Sequence, residues 1–236
     1  MAATTCRCFR PYHWVKSLTS TRASTLGTVD IILTGASFAA SSYPPLAVTY
    51  FPFIFRDFEH QLKYAKSDVF KELAKGYDDK IGNHITALNY YGARQLTSNR
   101  MVAKPEGMKG LKIRVPDAQE NPLPNILAKK FFEVQKNISL TGHIVDSLLT
   151  VVGEPLSNKL SEADRKIFSD VMQEAAEKTG REIIASELRL VDEFKKKGIN
   201  VITVDKNAFR EAVLKNAKPA DYGYRQADYD RITAIK

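Results

Sequence analysis

The heptapeptide Gly-Leu-Lys-Ile-Arg-Val-Pro at residues 110–116 is the stretch around which the chain is best interpreted. Its three apolar residues alternate with Lys112 and Arg114, and this period of two predicts a short strand that ends at Pro116. Arg114 would then lie on the face opposite the apolar residues. A guanidinium held on a strand matches both oxygens of a carboxylate and stays charged at physiological pH. Taken alone, the pattern equally fits a solvated or ion-paired surface arginine, which is the more common case.

The composition is that of an ordinary globular protein. The chain has 236 residues, of which 44% are hydrophobic and 26% charged, and its formal net charge is +8. Residues 1–26 carry four basic residues and no acidic one, so half of the net charge lies there. The hypothesis that the chain binds nucleic acid rests only on this charge. The remaining chain is mildly basic, and its one run of three lysines, at 195–197, is typical of a helix end.

The residue types needed for metal or catalytic chemistry are not grouped in the sequence. Cys6 and Cys8 form an isolated pair that His13 alone does not complete as a zinc site. The other histidines have no partner at metal-ligand spacing, and the sequence contains no glycine-rich phosphate loop and no Gly-x-Ser-x-Gly. We therefore predict no metal, no cofactor and no enzymatic activity.

The sequence gives little support for membrane insertion or for a signal peptide. No run of eighteen apolar residues occurs. The basic residues 1–26 followed by the mildly apolar residues 31–40 have the order of a secretory signal. Asp30 directly before that apolar run, and the polar residues within it, weigh against this interpretation.

Alternating helical and extended patterns predict an α/β fold. Helix N-caps are expected at four positions, the third of which opens the longest helix: Asp57, Ser67, Ser161 and Asp205. Two further helical segments are predicted at 105–108 and 123–132. Strands are predicted at residues 29–33, 46–50, 85–91, 95–99, 138–140, 147–152 and 201–204. Residues 1–26 show no period and are predicted to lack regular structure.

Several motifs, taken in order, resemble one transport family. They are Gly27-Thr-Val-Asp30, Tyr43-Pro-Pro45, Phe53-Ile-Phe-Arg-Asp57, Tyr91-Gly-Ala-Arg94, Leu96-Thr-Ser-Asn99, Met108 to Pro116, Gln119-Glu-Asn-Pro122, Phe132 to Lys136 and Leu140-Thr-Gly-His143. In this order they are similar to the extracytoplasmic solute receptors of tripartite ATP-independent periplasmic (TRAP) transporters. The resemblance covers the chain from about residue 26 to its end.

The resemblance implies a two-lobed, periplasmic-binding-protein-like α/β fold with a long helix crossing both lobes. Lobe 1 is expected at residues 27–92 with 142–180, and lobe 2 at 93–141 with 181–236. An organic acid such as a C4-dicarboxylate, a sugar acid or sialic acid would bind in the cleft and pass to the membrane subunits of the transporter. The implied location is the periplasm, and no nucleic-acid partner is implied.

Three ligand-binding residues carry over from the family by position. Arg114 would bind the ligand carboxylate with both guanidinium arms, Arg94 would be a second cationic contact, and Asn121 would donate a hydrogen bond from the opposite wall. Charge-assisted bonds of this kind contribute about 1.5–3 kcal/mol each.

Two departures from the family pattern lead to an alternative hypothesis about the function of the chain. Residues 1–26 do not resemble the strand and helix with which the family begins. Only Asp117 and Ala118 separate Pro116 from Gln119, where family members carry a long segment. The second lobe is therefore expected to be incomplete, and the alternative is a truncated, non-binding remnant that acts at most as a structural or interaction protein.

Overall fold

The computed structural model describes residues 17–113 and 117–236. Its α-helices are α1 (Ser17–Thr25), α2 (Ala36–Ala39), α3 (Phe58–Ala65), α4 (Asp68–Ile81), α5 (Leu123–Ala128), α6 (Glu154–Ser157), α7 (Glu162–Lys196), α8 (Lys206–Asn216) and α9 (Gln226–Thr233). Its strands are β1 (Ile31–Gly35), β2 (His84–Ser98), β3 (Ala118–Pro122), β4 (Asn137–Val152) and β5 (Asn200–Ile202). Short 3-10 helices occupy Pro44–Tyr50, Pro105–Met108, Phe131–Glu133 and Pro219–Tyr222.

The sheet is built on a long antiparallel ribbon formed by β2 and β4. At one end of the ribbon β1 pairs with β4, across residues 148–152. At the other end β3 pairs antiparallel with β2, and β5 pairs parallel with β4. The described strands therefore form one open sheet whose two ends are widened by different partners.

Each end of the ribbon has its own apolar core. The larger core lies at the β1 end, where the sheet packs against α3, α4 and α9 through side chains such as Phe70, Leu149 and Ile232. The other end has two smaller clusters, one containing Ile138 and Phe194 and one containing Leu96 and Phe209. Helix α7, which is about 52 Å long at the standard rise per residue, contributes Ile183 and Ile184 to the larger core and Leu190 and Phe194 to the cluster that contains Ile138. The predicted lobe boundaries stay a prediction.

The predicted helix caps are confirmed. The side chains of Asp57, Ser67 and Ser161 accept hydrogen bonds from the backbone N–H of the third residue beyond, and Asp205 accepts from two backbone N–H groups. These bonds satisfy donors that a helix start leaves without an intrahelical partner. Gly198, directly beyond the cap of α7, has φ +76°, a conformation that glycine adopts without strain.

Three predictions of local structure are wrong. Residues 46–50 form part of a 3-10 helix rather than a strand, because Pro44 and Pro45 fix helical φ at its first turn. The segment predicted to lack regular structure contains helix α1. In the heptapeptide at 110–116, Ile113 makes a single parallel bridge with Ala118 and the described residues 110–112 lie outside any strand. Arg114, Val115 and Pro116 lie outside the described residues.

The strands predicted as short pairs are in fact two continuous strands. Residues 85–91 and 95–99 were expected on either side of a turn, but β2 runs through Gly92 with a register shift against β4. Gly92 has φ +124°, so the glycine that suggested a turn forms a bulge instead. The two predicted segments at 138–140 and 147–152 likewise belong to one strand, β4.

Candidate functional site

A charged cluster lies where β3, β2 and β4 run side by side. On β2, Arg94 has Glu120 of β3 on one side and Asp146 of β4 on the other. Glu120 is paired in register with Leu96 and Asp146 with Gly92, each two positions from Arg94. Side chains two apart along a strand share a face and reach diagonal neighbours, which explains why the three groups meet.

Both carboxylates bind the Arg94 guanidinium. Its Nη2 donates to Glu120 Oε1 at 2.7 Å and to the Glu120 backbone oxygen at 3.0 Å, and its Nε also donates to the Glu120 carboxylate. Its Nη1 donates to Asp146 Oδ2 at 2.7 Å. Four of the five donors of this guanidinium are thereby used within the protein, so Arg94 acts here as the centre of an ion-paired cluster.

Burial and pairing shift the titrations of these groups in different directions. Burial raises the pKa of Asp146 despite its bond to Arg94. Burial alone would also raise the pKa of Glu120, but the hydrogen bonds from His143 and Arg94 lower it below the ordinary value. Burial works against the charge of Arg94, yet the bonds and charge of Glu120 raise its pKa overall. Arg94 and Glu120 are therefore both held in their charged forms.

A wide bulge in β4 brings His143 to the same cluster. The register passes from Arg94 opposite Ile144 to Leu96 opposite Ser139, so residues 140–143 of β4 stand against one residue of β2, Gln95. The Gln95 side-chain oxygen accepts from the backbone N–H of Gly142 at 2.8 Å and fixes this bulge. His143 Nε2 then lies 3.3 Å from Glu120 Oε2, and His143 Nδ1 lies 2.7 Å from Thr141 Oγ1.

A cavity of about 680 Å³ lies beside the cluster. Its polar walls include Glu120, His143, Thr141, Tyr50 and Asn216. Burial, followed by the nearby charge of Asp146, raises the pKa of Tyr50 to about 12, so its hydroxyl remains protonated. The rest of the wall is mainly aromatic and aliphatic, and it includes Ile113.

Of the three predicted site residues, only Arg94 and Asn121 lie within the described residues, and these two do not share a face of the sheet. Asn121 is paired with Gln95, one position from Glu120, and therefore lies on the opposite face of the β2–β3 ladder from Arg94. Its amide donates to Gln119 Oε1 at 2.5 Å. Arg114 lies outside the described residues, but it directly follows the cavity-lining Ile113 in the chain. The roles of all three in ligand binding stay predictions.

Sequence reasoning overlooked the anionic side of the cluster. Asp146 lies in an apolar extended segment, between Val145 and Ser147, and a charged residue there is a signal of pairing or function. Glu120 lies between Gln119 and Asn121 in a polar run and gave no such signal. His143 was noted only as a histidine without a partner at metal-ligand spacing and as the last residue of a family motif. Its position in the Thr-Gly-His motif gave no hint of a β4 bulge.

The described residues offer no site for a metal ion and no membrane span. Within residues 17–113 and 117–236, no group of three or more histidine, cysteine, aspartate or glutamate side chains is arranged to hold a metal. In the same residues, every helix is too short or too polar to cross a bilayer. The Cys6–Cys8 pair and His13 lie outside the described residues.

The chain matches the family model described as bacterial extracellular solute-binding protein, family 7. The match has two segments, residues 14–118 and 117–220, which meet at Asp117 and Ala118. It begins at residue 14, earlier than the resemblance drawn from motifs. Part of the N-terminal segment therefore belongs to the matched region.

Named relatives and solved structures agree with this match. The sialic acid-binding periplasmic protein SiaP of Vibrio cholerae is 30% identical over 244 residues, covering 89% of this chain and 76% of that protein. The 2,3-diketo-L-gulonate-binding periplasmic protein YiaO of Escherichia coli is 29% identical over 222 residues, covering 79% and 67% respectively. A TRAP periplasmic solute-binding protein from Polaromonas, bound to D-erythronate, superposes with a TM-score of 0.79 at 27% identity, covering 92% of this chain and 82% of that one.

Proposed function

The chain belongs to the bacterial extracellular solute-binding protein family 7, a family of transport receptors rather than enzymes, and we propose that it captures an organic acid in the cavity beside Glu120 and His143. The acid is then handed to the membrane subunits of a TRAP transporter, and the chain works in the periplasm. The relatives support an acid as ligand, since the proteins named above bind sialic acid, 2,3-diketo-L-gulonate and D-erythronate.

One observation carries the proposed position of the carboxylate. No lysine or arginine belongs to the described residues that line the cavity, whereas Ile113 does. The Cα atom of Arg114 is only about 3.8 Å from that of Ile113 by covalent geometry. Arg94, by contrast, is already bound to two carboxylates. Arg114 is therefore the proposed primary partner of the ligand carboxylate.

Arg94 keeps a supporting role in this proposal. It holds Glu120 and Asp146 in place and compensates part of their charge, and Glu120 in turn positions His143 at the cavity wall. Asn121 contributes indirectly: its amide donates to Gln119 Oε1, and the Gln119 amide donates to Thr97 Oγ1 of β2. Neither residue needs to touch the ligand for its loss to weaken binding.

Calorimetric titration of the full chain tests the assignment of Arg114. The ligands are N-acetylneuraminate, D-erythronate, D-gluconate, succinate and 3-phenylpropionate. Because bonds to a charged group contribute about 1.5–3 kcal/mol each, Arg114→Ala should weaken binding of the best acid about 10- to 100-fold. Lys112→Ala, two residues away and exposed, is the matched control and should leave binding unchanged. Equal affinities for wild type and Arg114→Ala would remove Arg114 from the site.

A second candidate function follows from the two-segment match to the family model. The segments meet at residues 117 and 118, where the family carries a long segment by resemblance, and the two apolar clusters at this end of the sheet are each smaller than the core at the β1 end. In this alternative the chain folds but binds no acid, and it acts as a structural or interaction protein. A cooperative unfolding transition with no response to any acid in the panel would favour it.

A further inference from the structure

The cavity wall is unusually rich in aromatic rings. Six of the lining residues are aromatic: Tyr50, Phe51, Phe53, Phe209, Tyr222 and Tyr224. Tyr222 and Tyr224 are stacked, with ring centroids 6.0 Å apart at an interplanar angle of 23°. Phe51 packs edge-on against both, at 6.3 Å. Tyr222 is 60% exposed, so this stacked pair reaches the solvent side of the cavity.

Four polar side chains of the described wall, those of Glu120, Thr141, His143 and Asn216, already have hydrogen-bond partners within the protein. Glu120 accepts from Arg94, and His143 lies within hydrogen-bond distance of both Glu120 and Thr141. The Asn216 amide donates to the backbone oxygen of Ala212 at 2.7 Å. The other polar side-chain groups of the described wall are the hydroxyls of Tyr50, Tyr222 and Tyr224, each carried on an aromatic ring. A polyhydroxylated acid would leave several hydroxyls unpaired on entering, and each buried unpaired hydroxyl costs about tenfold or more in affinity.

Phe53 is held in a strained conformation at the same wall. Its φ is +59°, a region that bulky side chains rarely adopt. Its backbone N–H donates to the backbone oxygen of His143 at 2.8 Å, which links the strained residue to the bulge of β4. Strain of this kind persists where the surroundings enforce it, and it is frequent at ligand sites. Here it places an aromatic ring next to the polar end of the cavity.

We infer that the acid captured by this chain has an aromatic body, and that Phe53 and Tyr222 contact its ring. This inference rests on the proposed function, because it concerns the same cavity. The carboxylate lies at the end marked by Ile113 and His143, and the ring lies among the aromatic side chains. Offset or edge-on contacts between rings add affinity beyond the burial of apolar area.

A pair of monocarboxylates that differ in their bodies tests the inference. Titration calorimetry on the full chain compares 3-phenylpropionate with D-gluconate. We expect the dissociation constant of 3-phenylpropionate to be at least tenfold lower. Tighter or equal binding of D-gluconate would overturn the inference and leave the proposed function standing. If no acid in the panel binds, the proposed function fails and the inference fails with it.

Two variants and a control identify the ring contacts. Tyr222→Ala should weaken the binding of 3-phenylpropionate about fivefold and change the affinity for D-gluconate by less than twofold. Because Tyr222 is exposed, the variant should fold like the wild type. Phe53→Gly relieves the backbone strain but also removes a ring that packs against the cluster containing Leu96 and Phe209. The variant should still unfold cooperatively and should weaken the binding of 3-phenylpropionate. Phe38 is 55% exposed and is not part of the cavity wall. Phe38→Ala should therefore leave the affinity for both acids unchanged. Equal loss for both acids, or no loss in either variant, would overturn the inference.

Discussion

The hydroxyl of Tyr90 donates a 2.6 Å hydrogen bond to Oε2 of Glu187 and ties the middle of β2 to the middle of helix α7. The other oxygen of Glu187 accepts from the backbone N–H of Ala93 at 2.8 Å, directly beyond the bulge at Gly92. The Glu187 carboxylate is buried, and burial raises its pKa despite these two bonds. It therefore fixes the long helix against the strand that carries Arg94.

Glu187→Ala should destabilise the fold by about 2–4 kcal/mol, because it leaves Tyr90 and the Ala93 N–H without their charged acceptor. Glu187→Gln is the matched control. Its amide oxygen still accepts from Ala93 and its NH₂ can donate to the Tyr90 hydroxyl, while the buried charge is gone. Urea denaturation should show Glu187→Gln close to wild type. Equal destabilisation by both variants would mean that the charge itself, rather than the two bonds, holds the helix.

Gly92→Ala should destabilise the folded chain more than Gly110→Ala does. A Cβ at Gly92 would lie 2.7 Å from the Pro122 side chain and 2.9 Å from Glu187 Oε1, in addition to the strain of φ +124°. Gly110 has φ +69° but nothing within 4 Å of a built Cβ, so only the backbone cost of about 1–2 kcal/mol remains. Melting temperatures of the two variants make the comparison. A smaller loss for Gly92→Ala would contradict the close approach at the bulge.

Arg94→Met should destabilise the fold by about 3–5 kcal/mol, since it leaves the buried Asp146 and the half-buried Glu120 carboxylates without their guanidinium partner. The side chains of Arg94, Glu120 and Asp146 are 15%, 28% and 8% exposed, so solvent screens the pairs little. Adding Asp146→Asn to Arg94→Met should recover part of the loss, because one unpaired charge disappears. A double-mutant cycle in urea measures the coupling. Simple additivity of the two changes would show that Arg94 and Asp146 do not interact.

The two carboxylates should give opposite pH dependences of stability. The pKa of Asp146 is raised in the folded chain, so its contribution is present at low pH and is lost as the pH rises above its ordinary value of 3.8. The pKa of Glu120 is lowered, so its contribution is present above its ordinary value of 4.5 and is lost as the pH falls through the folded pKa.

Free energies of unfolding measured from pH 3 to 8 test these signs. As the pH rises, the stability of Asp146→Asn relative to wild type should increase. Over the same pH range the stability of Glu120→Gln relative to wild type should decrease. The two single variants serve as each other's control, since both replace a carboxylate beside Arg94 with an amide. Parallel profiles for the two variants would contradict the assigned shifts.

Local signals in the sequence predicted those parts of the fold that depend on neighbouring residues. The caps at Asp57, Ser67, Ser161 and Asp205 need only a side chain and a backbone N–H three residues away or fewer, and all four are confirmed. The motifs also predicted the α/β fold and the family. The strand predicted at residues 46–50 was wrong because the apolar character of these residues fits a buried strand and a buried 3-10 helix equally well.

The candidate site was harder to predict because it depends on strand register. Arg94 is separated from Glu120 by 26 residues and from Asp146 by 52 in the chain. Only the pairing of β2 with β3 and β4 brings them together, and a shift of one residue would send each side chain to the other face. The bulge that delivers His143 leaves no clear trace in the sequence. Arg94 was predicted as a second cationic contact for the ligand, and that role stays a prediction; its two carboxylate partners in the structure were not foreseen.

The most direct test of the account is the melting temperature of the full-length chain as a function of organic-acid concentration. A ligand that binds only the folded state stabilises it by about 2.7 kcal/mol at one hundred times its dissociation constant. The account predicts a single cooperative transition whose midpoint rises steadily with 3-phenylpropionate, and for Arg114→Ala the same rise only at about 10- to 100-fold higher concentration. A wild-type midpoint that stays constant against every acid of the panel would contradict the claim that this chain captures an organic acid.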